Sequence, residues 1–246
     1  MLGGTETYGK FIRVPYPDLV EARLGMTCAN LGWPNAGLDV LLRDDGLARM
    51  AAGARAVVLQ LPGAVNLSNR FYRVHPRRND RFLHATRALC GLFPDVDFTD
   101  FHFTRHLLRN LRAASPERFD LVRDELRTTW VERMIDWLHR QRAPVVLLWF
   151  SARRPGLSAG AVDLACDPAL VTRAMLNTVA PHAAHLVEVT VSKAAQRTGT
   201  SGMVFARADS GAAVGLPGPA AHTEAQLALT PVLRGLLEEE CAALAR

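Results

Sequence analysis

Residues 144–150 of this chain read PVVLLWF, seven consecutive positions without a charged side chain. A run of this length, rich in β-branched and aromatic residues, is the pattern of a strand covered on both faces, as in parallel sheets flanked by helices. Residues 54–61 (ARAVVLQL), ended by Pro62-Gly63, and residues 185–191 (HLVEVTV) are further candidate strands, and residues 26–31 (MTCANL) form a shorter candidate. Residues 202–206 (GMVFA) are expected as a short edge strand. Amphipathic helix patterns fall between them, at 17–24, 39–52 (broken near Asp44-Asp45-Gly46), 80–92, 100–112, 116–142, 167–179 and 223–244. Ser115 is the expected N-cap of the longest, with Pro116 at its first position and Pro168 opening the one after the fourth strand. Strands alternating with helices predict an α/β fold with a parallel sheet.

The interval from 62 to 143 is too long for a single crossover, so residues 66–114 are expected to form a loop-and-helix insertion, a kind of segment that often covers a site. The whole of residues 1–246 is read as one domain. Leu2-Gly3-Gly4-Thr5 looks like the tail of a strand entering a tight turn, yet only Met1 precedes it. The reading therefore expects a first strand that lacks some or all of its length. No apolar run approaches a membrane span, and no basic segment followed by an apolar one marks a secretory signal. The four cysteines form no CxxC pair and read as reduced thiols of a cytoplasmic protein. Of the 29 basic residues only Lys10 and Lys193 are lysine. Arginine pairs bidentately with carboxylate, phosphate or sulfate, so the charge suits small anions. A net charge of +5, 7% aromatics and the lack of a recognition motif argue against nucleic acid.

The segment Leu2-Gly3-Gly4-Thr5-Glu6-Thr7-Tyr8-Gly9-Lys10 resembles the first block of the SGNH/GDSL hydrolases, Gly-Asp-Ser-x-Thr-x-Gly. Gly4 stands where Asp is usual, Thr5 stands where the nucleophilic Ser is usual, and Thr7 and Gly9 match. A hydroxyl at a sharp strand-to-helix turn is presented at the carboxyl end of the sheet, beside amides that can stabilise an oxyanion. Threonine is a stiffer and more crowded nucleophile than serine. The same stretch also reads Gly4-x4-Gly9-Lys10-Phe11, a phosphate loop lacking its final Ser/Thr, and so leaves open a phosphoryl or sulfuryl transferase using residues Gly4 to Lys10.

Three later segments continue the resemblance in chain order. Asn30-Leu31-Gly32-Trp33-Pro34-Asn35-Ala36-Gly37 is similar to the second block, in which a glycine amide donates to the oxyanion; Gly37 and Gly32 are the candidates. Gly63-Ala64-Val65-Asn66 is similar to the third block with its Asn one residue late; Asn66 is the expected side-chain donor and Asn69 stands behind it. Pro219-Ala220-Ala221-His222 lies where Asp-x-x-His precedes the last helix, so His222 is the implied base, with Asp209 or a backbone carbonyl in place of the missing orienting Asp. The resemblance implies a three-layer α/β/α fold with a flavodoxin-like sheet of order 2-1-3-4-5 and a helical insertion after the third strand. The strings LGGTETYGKF, NLSNRFY, HPRRNDRF and FHFTRHLL also resemble, over nearly the whole chain, a bacterial family of domain-of-unknown-function type, which implies no activity.

The insertion carries the densest basic–aromatic run, Arg70, Phe71, Tyr72, Arg73, His75, Arg77, Arg78 and Arg81. If it folds over the sheet edge, Arg70, Arg73, Arg77 and Arg78 would hold an anionic substrate such as a charged carbohydrate. His102 and His106 have helical i,i+4 spacing but no third ligand in register, so neither a metal nor any other cofactor is expected. The resemblance thus implies a hydrolase or acyl transferase of O-acyl esters, with Thr5 attacking, His222 as base, and the Thr5 and Gly37 amides with Asn66 around the oxyanion. The alternative is an inactive relative that binds an anionic glycan or a partner protein in the same pocket.

Overall fold

The computed structural model describes residues 1–157 and 164–244. In chain order the elements are β1 (Leu2–Gly3), α1 (Thr5–Tyr8), α2 (Tyr16–Leu24), β2 (Leu31–Gly32), α3 (Leu38–Arg43), α4 (Asp45–Ala52), β3 (Val57–Gln60), β4 (Tyr72–Val74), β5 (Phe82–Ala85), α5 (Arg87–Leu92), α6 (Thr104–Ala114), α7 (Pro116–Arg140), β6 (Val145–Ser151), α8 (Arg173–Val179), β7 (His185–Thr190), α9 (Lys193–Arg197), α10 (Ser210–Val214) and α11 (Pro219–Leu244). Five parallel strands form the main sheet in the order β2-β1-β3-β6-β7, and β4-β5 is a separate antiparallel hairpin. With the hairpin set aside, this is the order 2-1-3-4-5 that the resemblance implies.

The two faces follow from the period of a strand. On β3 and β6, Val57, Leu59, Val145, Leu147 and Trp149 point into one apolar layer with Trp130 of α7 and Leu176 of α8. Their neighbours Val58, Val146, Leu148 and Phe150 point into the other, with Val20 of α2 and Ala225 and Leu229 of α11. Every residue of β6 is buried, as its unbroken apolar run requires. Ser115 caps α7, its Oγ accepting from Arg118 N at 3.3 Å, with Pro116 in the first turn. Among the described residues no helix is long and apolar enough to cross a membrane.

Several boundaries differ from the sequence reading, each for a local reason. Of residues 26–31 only Leu31 joins a ladder, because β1 offers two residues, Leu2 and Gly3, to Leu31 and Gly32. The helix expected over 80–92 is split: Phe82–Ala85 pairs back on Tyr72–Val74, and Thr86 then caps a short α5. Residues 101–103 run along that hairpin, with Arg81 bridged to Phe103, so α6 starts at Thr104 and His102 lies outside it. Thr172 caps α8, which leaves Pro168 ahead of the helix. Residues 202–206 form no strand; Val204 N makes one bond to Phe11 O at 2.8 Å.

Candidate active site

A cavity of about 740 Å³ opens at the carboxyl edge of the sheet, where open α/β sheets bind ligands. Its floor is built by the residues that follow the strands: Gly4, Thr5 and Glu6 after β1, Asn35 after β2, Gln60 to Gly63 on β3 and beyond, and Ser151 at the end of β6. The insertion supplies Asn66, Asp80, Phe103, Thr104 and Arg105 as one wall. The insertion is fixed to the start of α3 by Asn79, whose Oδ1 accepts from Gly37 N and Val40 N, both at 3.0 Å, and whose Nδ2 donates to His75 O and Pro76 O.

Gln60 organises the floor. It is a buried amide at the end of an apolar strand, and its Oε1 accepts from Gly4 N (3.0 Å), Thr7 N (3.2 Å) and Thr7 Oγ1 (2.6 Å). Because Thr7 Oγ1 spends its proton on Gln60, the Tyr16 hydroxyl 2.9 Å away must donate to it. Gln60 Nε2 donates to Glu6 Oε2 at 2.9 Å. Gly3 leaves room for this clamp, since a Cβ there would lie 1.9 Å from Thr7 Oγ1. Burial raises the Glu6 carboxyl above the usual carboxylate range, and the Asp167 carboxylate raises it further. The Gln60 hydrogen bond and Arg105 act in the opposite direction without cancelling the rise. Arg105 itself is committed to the wall: Nη1 donates to Leu164 O and Ala165 O, and Nη2 pairs with Asp167.

The expected site residues divide sharply. Thr5 and Asn66 line the cavity together. Thr5 Oγ1 accepts from Asn35 N at 2.9 Å, and Asn66 Oδ1 accepts from Thr104 Oγ1 at 2.5 Å. Among the described residues no protein acceptor takes up Asn66 Nδ2. Gly37 faces elsewhere: its amide is bonded to Asn79, and its missing Cβ makes room for Asn66, whose carbonyl oxygen would lie 2.0 Å from an added Cβ. Gly32 likewise serves packing, with Tyr8 N 2.1 Å from where a Cβ would be. Asn69 shapes its own loop, its Oδ1 accepting from Phe71 N and Tyr72 N.

The arginines expected to hold an anion do not line the cavity. Arg73 donates to Asn69 O and Tyr72 O, Arg70 lies against the Phe71 ring, and Arg77 and Arg78 are exposed in the turn held by His75 Nδ1. The hairpin turns its outer strand residues away from the sheet edge and sends Asp80 and Phe103 to Arg105 inward instead. In the Gly4–Lys10 turn most of the amides are already engaged. The Gly4 and Thr7 amides are held by Gln60, Tyr8 N by Gly4 O, and Gly9 N and Lys10 N by Thr5 O. Among the described residues no group of three or more His, Cys, Asp or Glu side chains could hold a metal.

His222 lies beside the cavity, since Pro217, Gly218 and Ala221 line it, but its ring is turned into the core. Its Nδ1 accepts from Tyr16 N at 3.0 Å, and the ring stacks on Tyr16 and meets Phe150 edge-on. Burial lowers its pKa to about 4, against a smaller upward pull from a backbone hydrogen bond at Pro217. It is a neutral strut joining the start of α11 to the start of α2, and the structure gives no hydrogen bond between it and Thr5. The residues missed by sequence reading are Glu6, Gln60 and Asp167. Only Gln60 carried a signal, as the one polar residue in the run Val57 to Leu61.

Neither a curated protein nor a solved structure matches the chain. One family model does, over residues 1–237, and it carries the description "domain of unknown function (DUF6473)". With nearly the whole chain matched, this protein belongs to the DUF6473 family.

Proposed function

We propose that the chain is a hydrolase or acyl transferase of O-acyl esters, with SGNH-like placement of its nucleophile and a carboxylate in place of the histidine base. The observation that carries this reading is one cavity holding the Thr5 hydroxyl, the unused Asn66 Nδ2 and the Glu6 carboxyl. A carboxyl with a raised pKa is a stronger base than an ordinary one. Thr5 Oγ1 attacks the acyl carbon while its proton passes to Glu6. The carbonyl electron pair moves onto oxygen, which Asn66 Nδ2 holds. Collapse of this intermediate breaks the bond to the alcohol oxygen, and that oxygen takes the proton back from Glu6. Water, or an acceptor hydroxyl, then attacks the acyl-Thr5 ester with the same proton traffic.

The test is hydrolysis of short-chain aryl acetates by the intact protein. Thr5→Val and Glu6→Gln are each expected to lower kcat/KM by about a hundredfold or more. Turnover that survives in Thr5→Val, or none in the unaltered protein, refutes the proposal. A second reading, a non-catalytic binding pocket, is favoured by the commitment of Thr5 Oγ1 to Asn35 N and of His222 to Tyr16. It predicts ligand binding by calorimetry with no turnover.

A further inference from the structure

Beside the cavity runs an open groove lined by Tyr8, Phe11, Ile12, Pro15 and Val204, with Lys10, Arg13 and Asp18 as its charged groups. Lys10 and Pro34 line both spaces, so the groove continues from the cavity past the Lys10 side chain. The turn that carries Lys10 is held in an uncommon shape. Phe11 has φ of 72°, left-handed backbone that a bulky side chain rarely adopts, and it persists because neighbouring structure enforces it. That structure is the 204–205 segment: Val204 N donates to Phe11 O, and Phe205 packs edge-on against the Phe11 ring at 5.6 Å. The Lys10 ammonium lies 4.7 Å from the Phe11 ring centroid. Among the described residues neither Lys10 nor Arg13 has a carboxylate partner. Asp18 offsets one of the two cations and leaves the groove net positive. Two unpaired cations beside aromatic and aliphatic side chains, at the mouth of a cavity, suit an anion carried on a flat apolar body.

We propose that this groove is a second subsite, which binds an anionic aromatic portion of the substrate while the ester lies in the inner cavity. It rests on the ester reading for the inner cavity, but the binding contacts are its own. Lys10 holds the anion at the junction, Arg13 adds a second cation further out, and Phe11 and Tyr8 cover the apolar body. The arginines of the hairpin have no part in it.

The experiment compares 4-acetoxybenzenesulfonate with its uncharged sulfonamide counterpart, and separately titrates the product 4-hydroxybenzenesulfonate into the protein by calorimetry. The expected result is a kcat/KM preference for the sulfonate that falls by about tenfold in the Lys10→Met/Arg13→Met double variant, as loss of a charge-assisted contact implies. The dissociation constant of 4-hydroxybenzenesulfonate should rise by a similar factor. Arg77→Met, on the exposed hairpin turn, should keep both values. Equal use of the two esters, or sulfonate binding that is absent or indifferent to the double variant, overturns the subsite. If neither ester turns over yet the sulfonate binds and the double variant loses it, the subsite stands and the hydrolase reading falls. If both esters turn over without regard to charge, the reverse holds.

Discussion

His222 makes the sharpest quantitative prediction, because its burial and its bonding point the same way. The ring is 1% exposed and its Nδ1 must stay unprotonated to accept from Tyr16 N. Protonation would set a donor against a donor inside an apolar pocket of Tyr16 and Phe150. Its pKa falls from the ordinary 6.5 to about 4 on folding. The unfolded chain therefore binds this proton more readily than the folded one. Its contribution is fully present above pH 6.5 and is lost as pH falls from 6.5 towards 4. At about 1.4 kcal/mol per pH unit for one proton, the loss amounts to about 3 kcal/mol. Urea denaturation of the unaltered protein and of His222→Asn, from pH 8 to pH 4, isolates the term. Asn keeps an acceptor for Tyr16 N but does not titrate. Above pH 7 the gap between the two proteins should be constant, and towards pH 4 it should change by about 3 kcal/mol in favour of the variant. Parallel stability curves across the whole range would refute the assignment of His222 as a buried neutral strut. A general base would instead show itself as an activity loss with no change in the acid limb of stability.

Two further outcomes follow from the cavity floor. Gln60→Leu keeps the volume but leaves Gly4 N, Thr7 N and Thr7 Oγ1 without their acceptor, so equilibrium denaturation should show a loss of about 2–4 kcal/mol. A change under 1 kcal/mol would mean that water replaces the amide and the clamp is unimportant. Glu6 has the opposite linkage sign to His222: its raised pKa means that the folded protein holds the proton longer, and stability is lost as pH rises through the folded value. Glu6→Gln should therefore be more stable than the unaltered protein at pH 8 and equal to it at pH 4. Identical melting temperatures at pH 8 would refute the raised pKa.

The sheet was readable because its signal is local. The runs around Val145–Ser151 and Val57–Gln60 are apolar on both faces, and only a doubly covered parallel strand uses such residues throughout. The same reading failed at 80–92, where the pattern of a helix face overlaps a two-stranded hairpin. Phe82 is buried against Tyr72 from across the hairpin, and no periodicity within residues 80–92 reveals a partner ten residues upstream. The edge strand β2 was over-read: of residues 26–31 only Leu31 enters the ladder, opposite Leu2 of β1.

The site was less legible because its chemistry depends on which neighbour each polar group meets. His222 stood at the expected place in the chain and still fell to another role, because the ring turns towards Tyr16, which is 206 residues away in sequence. Gly37 was singled out for its amide, but in the structure its distinguishing feature is the space it leaves for the Asn66 backbone. Glu6 occupies the variable position of the Gly-Gly-Thr-x-Thr turn, where a motif reader discounts the side chain. Gln60 at the end of β3 and Asp167 in the loop after β6 shape its proton affinity. A motif therefore locates the floor of such a cavity, since the backbone turn is written in consecutive residues. The proton affinities of the groups in it are set by burial and by charges assembled across the sheet edge, and these exist only once the chain has folded.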